Sequence, residues 1–101
     1  MTKQQKKDVR KALRRYGRAP DEPGSRADRQ TRTWGKVIAQ ALDYYAAEDP
    51  VCAALLRMRY LEGMSEERVI TRLHIGRTTY YHKELEALST VAIYAACAGL
   101  M

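Results

Sequence analysis

Four residues past the middle of the chain, Arg77, Thr78, Tyr81 and His82, have the types and spacing of side chains that read DNA from the start of a helix. Steps of one, three and four residues gather them on one side of a first helical turn. Arg77 can donate a bidentate pair to guanine, and Thr78 can bond a base or phosphate while packing its methyl on thymine. Tyr81 and His82 can reach base edges or the DNA backbone. Other chemistry is poorly served. There is no Ser-His-Asp order, glycine-rich phosphate loop or metal box, and Glu66-Glu67 reads as charge at a helix start, so an enzyme is not expected. Cys52 and Cys97 lack metal spacing and read as small buried hydrophobes, while His74 and His82 add no ligand pattern. No structural zinc and no cofactor is expected.

The four readers need a scaffold, and the run from Ser65 to Leu85 supplies one. Val69, Ile70 and Leu73 form the apolar face of a short helix, Ser65 is its N-cap, and Glu66 and Glu67 complement its dipole. His74-Ile75-Gly76 interrupts the pattern, with Ile75 expected to be buried and a second helix to begin at Arg77. Tyr80 faces inward with Ile70 and Ile75. Two helices meeting at such a turn form a helix-turn-helix, whose second helix lies in the major groove. A plain helical hairpin with a polar outer face is the bland alternative.

The stretch Leu55 to Leu88 also resembles region four of sigma factors and the phage regulators of the ArpU and RinA type. The resemblance rests on Arg59-Tyr60-Leu61-Glu62-Gly63 ahead of the turn and on Gly76-Arg77-Thr78-Thr79-Tyr80-Tyr81-His82 after it. It implies a phage or prophage transcriptional regulator bound to double-stranded DNA, with RNA polymerase as a further candidate partner. Three positions depart from the pattern: His74 replaces a usual Gly, Gly76 a usual Ser cap, and Lys83 a usual apolar residue. A DNA-packaging adaptor resembling a small terminase subunit is the alternative, since it too joins a helix-turn-helix to an oligomerising helix.

Charge is unevenly distributed. The net charge of the 101 residues is +6, but Met1 to Lys36 holds twelve Lys and Arg against four acidic residues, a balance of +8, which leaves −2 for the remainder. Phosphate neutralisation must therefore come largely from the N-terminal third. Lys6, Arg10 and Arg14 are the candidates there, joined by Arg57, Arg59, Thr79 and Lys83; a solvated basic tail that orders on DNA is the other reading.

The fold these features require is all-α: a small helical domain of about five helices containing the helix-turn-helix, with a long C-terminal helix. The organisation reads as a basic helix and loop at 1–24 and a helical domain at 25–101, with the helix-turn-helix at 65–85 and an apolar extension at 86–101. Lys3 to Tyr16 is a basic amphipathic helix with Val9, Ala12, Leu13 and Tyr16 on its stripe; Gly17 closes it and Pro20, Pro23 and Gly24 make a loop. A second helix starts between Ser25 and Thr33, carrying Trp34, Val37, Ile38, Ala41, Leu42 and Tyr45 inward. Asp49-Pro50 starts a third, with Val51, Ala54, Leu55, Met58 and Leu61 inward and its end at Gly63. With Phe absent and seven Tyr present, bulky core contacts must bring hydroxyls that need partners. The last helix, Arg77 to about Ala98, carries two apolar stripes: Tyr81, Leu85, Leu88, Ala92 and Ala95, beside Tyr80, Ala87, Val91, Tyr94 and Ala98. One stripe serves the core and the second needs another partner; a homodimer contact through Leu88, Val91, Ala92, Tyr94 and Ala95 is assigned, with docking of the N-terminal helix as the alternative. No apolar run suits a signal peptide or a bilayer span, so a cytoplasmic protein without a membrane partner is expected.

Overall fold

Thr2 opens the first helix with a reciprocal cap: its hydroxyl accepts from the Gln5 amide at 3.1 Å, and its own amide donates to Gln5 Oε1 at 3.0 Å. From this start α1 runs Lys3–Tyr16. The computed structural model describes residues 2–16 and 29–101, and the regular structure within them is helical throughout. The sequence expectations at Gly17, Pro20, Pro23 and Gly24 lie outside the described residues. Helices α2 (Arg29–Glu48), α3 (Pro50–Leu56), α4 (Glu66–Leu73) and the long α5 (Arg77–Cys97) follow, with a π-helical turn at Arg57–Leu61. No helix among the described residues is long and apolar enough to cross a membrane.

The main core is made by α1, α2, α3 and α5 together. Val9, Ala12 and Leu13 of α1 are buried in one cluster with Trp34, Val37, Ile38, Ala41 and Tyr45 of α2. Removing Val9 and Leu13 from water stabilises the docked helix by roughly 2 kcal/mol each, and the Tyr16 ring stacks on Trp34 at 6.0 Å with a 3° interplanar angle. Thus α1 is an integrated element and not a free basic tail. Tyr45, fully buried, answers the expected demand for hydroxyl partners by donating to the Glu86 carbonyl at 3.1 Å and meeting Thr90 Oγ1 at 2.6 Å. Burial pushes its hydroxyl up to about 12.

Asp49 caps α3 as its sequence implies, accepting from the Cys52 amide at 3.3 Å with Pro50 at the first helical position. The expected inward face of this segment needs correction. Of Val51, Ala54, Leu55, Met58 and Leu61 only Leu55 is fully buried, whereas Cys52, Ala53, Leu56 and Tyr60 are buried beside it. Two causes combine. α3 packs against both α2 and α5, and the wider winding at Arg57–Leu61, closed by the Glu62 amide on the Arg57 carbonyl at 2.9 Å, turns the following side chains to a new side. The Cys52 thiol points to the Lys83 carbonyl at 3.6 Å, and burial pushes it up to about 12; Cys97, expected to be buried, is exposed.

Gly63, at φ 72°, ends the π turn in the left-handed region. Ser65 then caps α4 by accepting from the Arg68 amide at 3.3 Å. Leu55, Val69 and Tyr80 form a second buried cluster, with Ile70, Leu73 and Ile75 packed around it. Ile75 is half-buried, not fully buried as expected, because it sits at the edge of this small cluster.

The burial along α5 redirects the residues assigned to a dimer. Leu88, Val91 and Ala95, assigned above to a dimer, are 0 % exposed inside the chain's own core, where α1 and α2 cover them; Ala92 and Tyr94 are half-buried against the same cluster. Leu85, expected on an inward stripe, is exposed. The alternative in which the N-terminal helix covers α5 describes the molecule.

Candidate nucleic-acid interface

The turn that separates α4 from α5 is made by His74, Ile75 and Gly76. His74 takes the left-handed conformation, φ 54° and ψ 43°, and closes α4 by donating its amide to the Ile70 and Thr71 carbonyls. Gly76 is extended, at φ −74° and ψ 159°, and caps α5 without a side-chain bond. The first turn of α5 consequently stands at the surface: Arg77, Thr78, Thr79, Tyr81 and His82 are all exposed, while Tyr80 between them is fully buried. The Tyr81 ring leans edge-on against Tyr80 at 5.5 Å, which limits its orientations.

Arg77 is not an isolated cation. Its guanidinium lies 3.7 Å from Glu66 and 3.8 Å from Glu67 on the start of α4. A hydrogen bond with Tyr81 and then these carboxylates push its protonation equilibrium upward. At this exposure the pairs are weak and readily exchanged for another acceptor.

The proposed phosphate-holding residues divide into free and engaged groups. Thr79 and Arg57 are exposed; Arg59 is half-buried and donates to the Met64 carbonyl at 3.1 Å. Lys83 holds Asp49 at 2.6 Å, tying α5 to the start of α3, and each partner stabilises the other's charge: Lys83 lowers the Asp49 carboxyl and Asp49 raises the lysine. Arg10 reaches Glu84 Oε1 at 2.7 Å. Both Lys83 and Arg10 therefore serve interhelical joints in the free chain. Lys6 is half-buried and Arg14 is exposed, its guanidinium 5.7 Å above the Tyr60 ring.

Glu84 is the group that the sequence reading passed over. It is buried on α5, accepting from Arg10 through one oxygen and from the Tyr80 hydroxyl through the other, each at 2.7 Å. Burial and then this bond push the Tyr80 phenol well up, and it stays neutral. Burial alone would lower Arg10, but Glu84 and then Tyr60 outweigh it and the net direction is upward. Its signal was available: Glu84 falls four residues after Tyr80 and four before Leu88, in the middle of a buried stripe.

Around this joint opens a cleft of about 770 Å³. One wall is α1, with Lys7, Arg10, Lys11, Arg14 and Arg15; Arg59 and Tyr60 of the π turn face it, and Glu66 and Glu84 line it from α4 and α5. Glu66 thus belongs both to the cleft and to the surroundings of Arg77.

No curated protein and no solved structure matches this chain. One family matches residues 25–92, from ahead of α2 to most of the way along α5, and its description is "Protein of unknown function (DUF1492)". Since the match spans more than half of the sequence, the chain belongs to the DUF1492 family.

Proposed function

We propose that this chain is a sequence-specific, double-stranded DNA-binding transcriptional regulator, phage or prophage encoded, in which α4 and α5 act as a helix-turn-helix resembling sigma region four and the ArpU and RinA regulators. The observation that carries the reading is the exposed group Arg77, Thr78, Tyr81 and His82 on the first turn of a helix that follows a three-residue turn. A helix presented this way enters the major groove with its N-terminal residues against base edges. Arg77 exchanges Glu66 and Glu67 for guanine, and Thr78, Tyr81 and His82 extend the contact. Thr79, Arg57 and Lys6 hold phosphates. The packaging-adaptor alternative has lost the free apolar stripe on which it leaned, and RNA polymerase has no separate surface in its favour.

Selection of binding sites from random duplexes tests the reading, followed by titration of wild type and Arg77→Ala on the selected site and on random DNA. The substitution should cost about 1–3 kcal/mol on the selected site and relax preference at one or two base pairs. Equal losses on both DNAs refute base reading by Arg77, and an absence of any selected sequence refutes the proposal as a whole.

A further inference from the structure

The cleft between α1 and the π turn holds more positive charge than the fold can use. Lys7, Lys11 and Arg15 follow one another at four-residue steps, as do Arg10 and Arg14, so like charges meet along both ridges of α1. Such pairs oppose the helix. Only Arg10 finds a carboxylate: none of the ion pairs among the described residues involves Lys7, Lys11, Arg14 or Arg15. The two carboxylates that line the cleft already face cations, Glu84 at Arg10 and Glu66 at Arg77. Across from α1, Arg59 keeps a buried Nε that no acceptor among the described residues satisfies, and Glu66 Oε1 is likewise buried without a hydrogen-bond donor. Arg14 and Arg59 both stand 5.7 Å from the Tyr60 ring, and both line the cleft from two different elements.

The geometry points to a binding site for a small oligophosphate, a molecule with two or three adjoining phosphate groups such as a nucleoside polyphosphate or inorganic tripolyphosphate. A volume of about 770 Å³ lies within the roughly 300–1,000 Å³ of small-molecule sites. Concavity separates this site from the proposed DNA contact: a duplex is a convex rod that meets protruding side chains, whereas cations converging from two walls of a cleft enclose a compact anion. Arg14, Arg15 and Arg59 supply planar forks for phosphate oxygens, and Lys7 and Lys11 supply point charges. The site does not depend on the DNA reading, because Arg77, Thr78, Tyr81 and His82 line none of it, and Glu66 is the one group that touches both.

Calorimetric titration of the full chain with tripolyphosphate, at low salt, is the test. One-to-one binding is expected, about tenfold weaker for Lys11→Ala and for Arg14→Ala, with far weaker binding of sulfate at equal ionic strength. His82→Ala, at an exposed position away from the cleft lining, should leave tripolyphosphate binding unchanged, so loss of DNA reading and loss of this site are separately visible. Circular dichroism checks that the variants, both at exposed positions, remain folded. Absence of saturable binding, unchanged affinity in both variants, or equal affinity for sulfate overturns the proposal. So does stoichiometric displacement of tripolyphosphate by duplex DNA, which would reassign the cleft to backbone phosphates.

Discussion

Arg10→Ala should loosen the joint between α1 and α5 by about 2 kcal/mol. The value follows from the contact. A charge-assisted hydrogen bond contributes about 1.5–3 kcal/mol, and the Arg10–Glu84 pair, at 2.7 Å, is of this kind. Glu84 is only 9 % exposed at its side chain, so removing Arg10 strands a carboxylate with the Tyr80 hydroxyl as its remaining partner. Breaking a fully buried pair costs about 3–5 kcal/mol. Arg10 is 39 % exposed, however, and solvent screens its half of the attraction, which places the expectation near the lower figure. For a chain of this size the midpoint of thermal unfolding should fall by about 10 °C. The assay is urea unfolding of wild type, Arg10→Ala, Glu84→Gln and the double variant, arranged as a double-mutant cycle. A coupling above about 1 kcal/mol between the two positions supports the joint. A destabilisation by Arg10→Ala below about 0.5 kcal/mol, the range of ordinary surface changes, refutes the reasoning.

Two further outcomes follow from the described contacts. Val91→Glu should unfold the chain and not merely dissociate copies of it, because Val91 is 0 % exposed within the core and an unpaired buried carboxylate costs several kcal/mol; a folded monomer by circular dichroism and sedimentation would contradict this. The Asp49–Lys83 pair should contribute about 1 kcal/mol between the two ordinary ionisation ranges. Asp49 is depressed in the folded state, so its contribution is present above the ordinary carboxyl value of 3.8 and fades as pH falls through the lower folded value. Lys83 is raised, so its contribution is complete below 10.5 and fades as pH climbs through the higher folded value. Asp49→Asn should flatten the stability profile at its acid end, and an unchanged profile would remove the pair from the account.

What was legible in the sequence was local. The Asp49-Pro50 and Ser65 starts involve only neighbours in the chain, and both caps form as their residue types require. The stripes of α1 and α2 are regular enough that Val9, Leu13, Trp34 and Tyr45 could be placed inside without knowing what they touch. The π turn was not legible, because its winding satisfies packing on α1 and α4 and no residue type in Arg57–Leu61 demands it. Periodicity also shows that Leu88 and Val91 share a buried face, but not which element covers it. Within the candidate site, exposure of Arg77, Thr78, Tyr81 and His82 followed from the turn, whereas the engagement of Arg10 and Lys83 depended on carboxylates distant in sequence, Glu84 and Asp49.

The docking of α1 also changes what any binding event must do thermodynamically. Ordering the backbone of its 14 residues costs on the order of 15 kcal/mol or more of conformational entropy. Because Val9, Leu13 and the Arg10 joint hold the helix against the core, that cost is met during folding and does not recur when an anion arrives. Association should then lack the large negative heat-capacity change of coupled folding. The cations of α1 act as a rigid array whose spacing is already set, so discrimination between anions falls to shape as well as to charge.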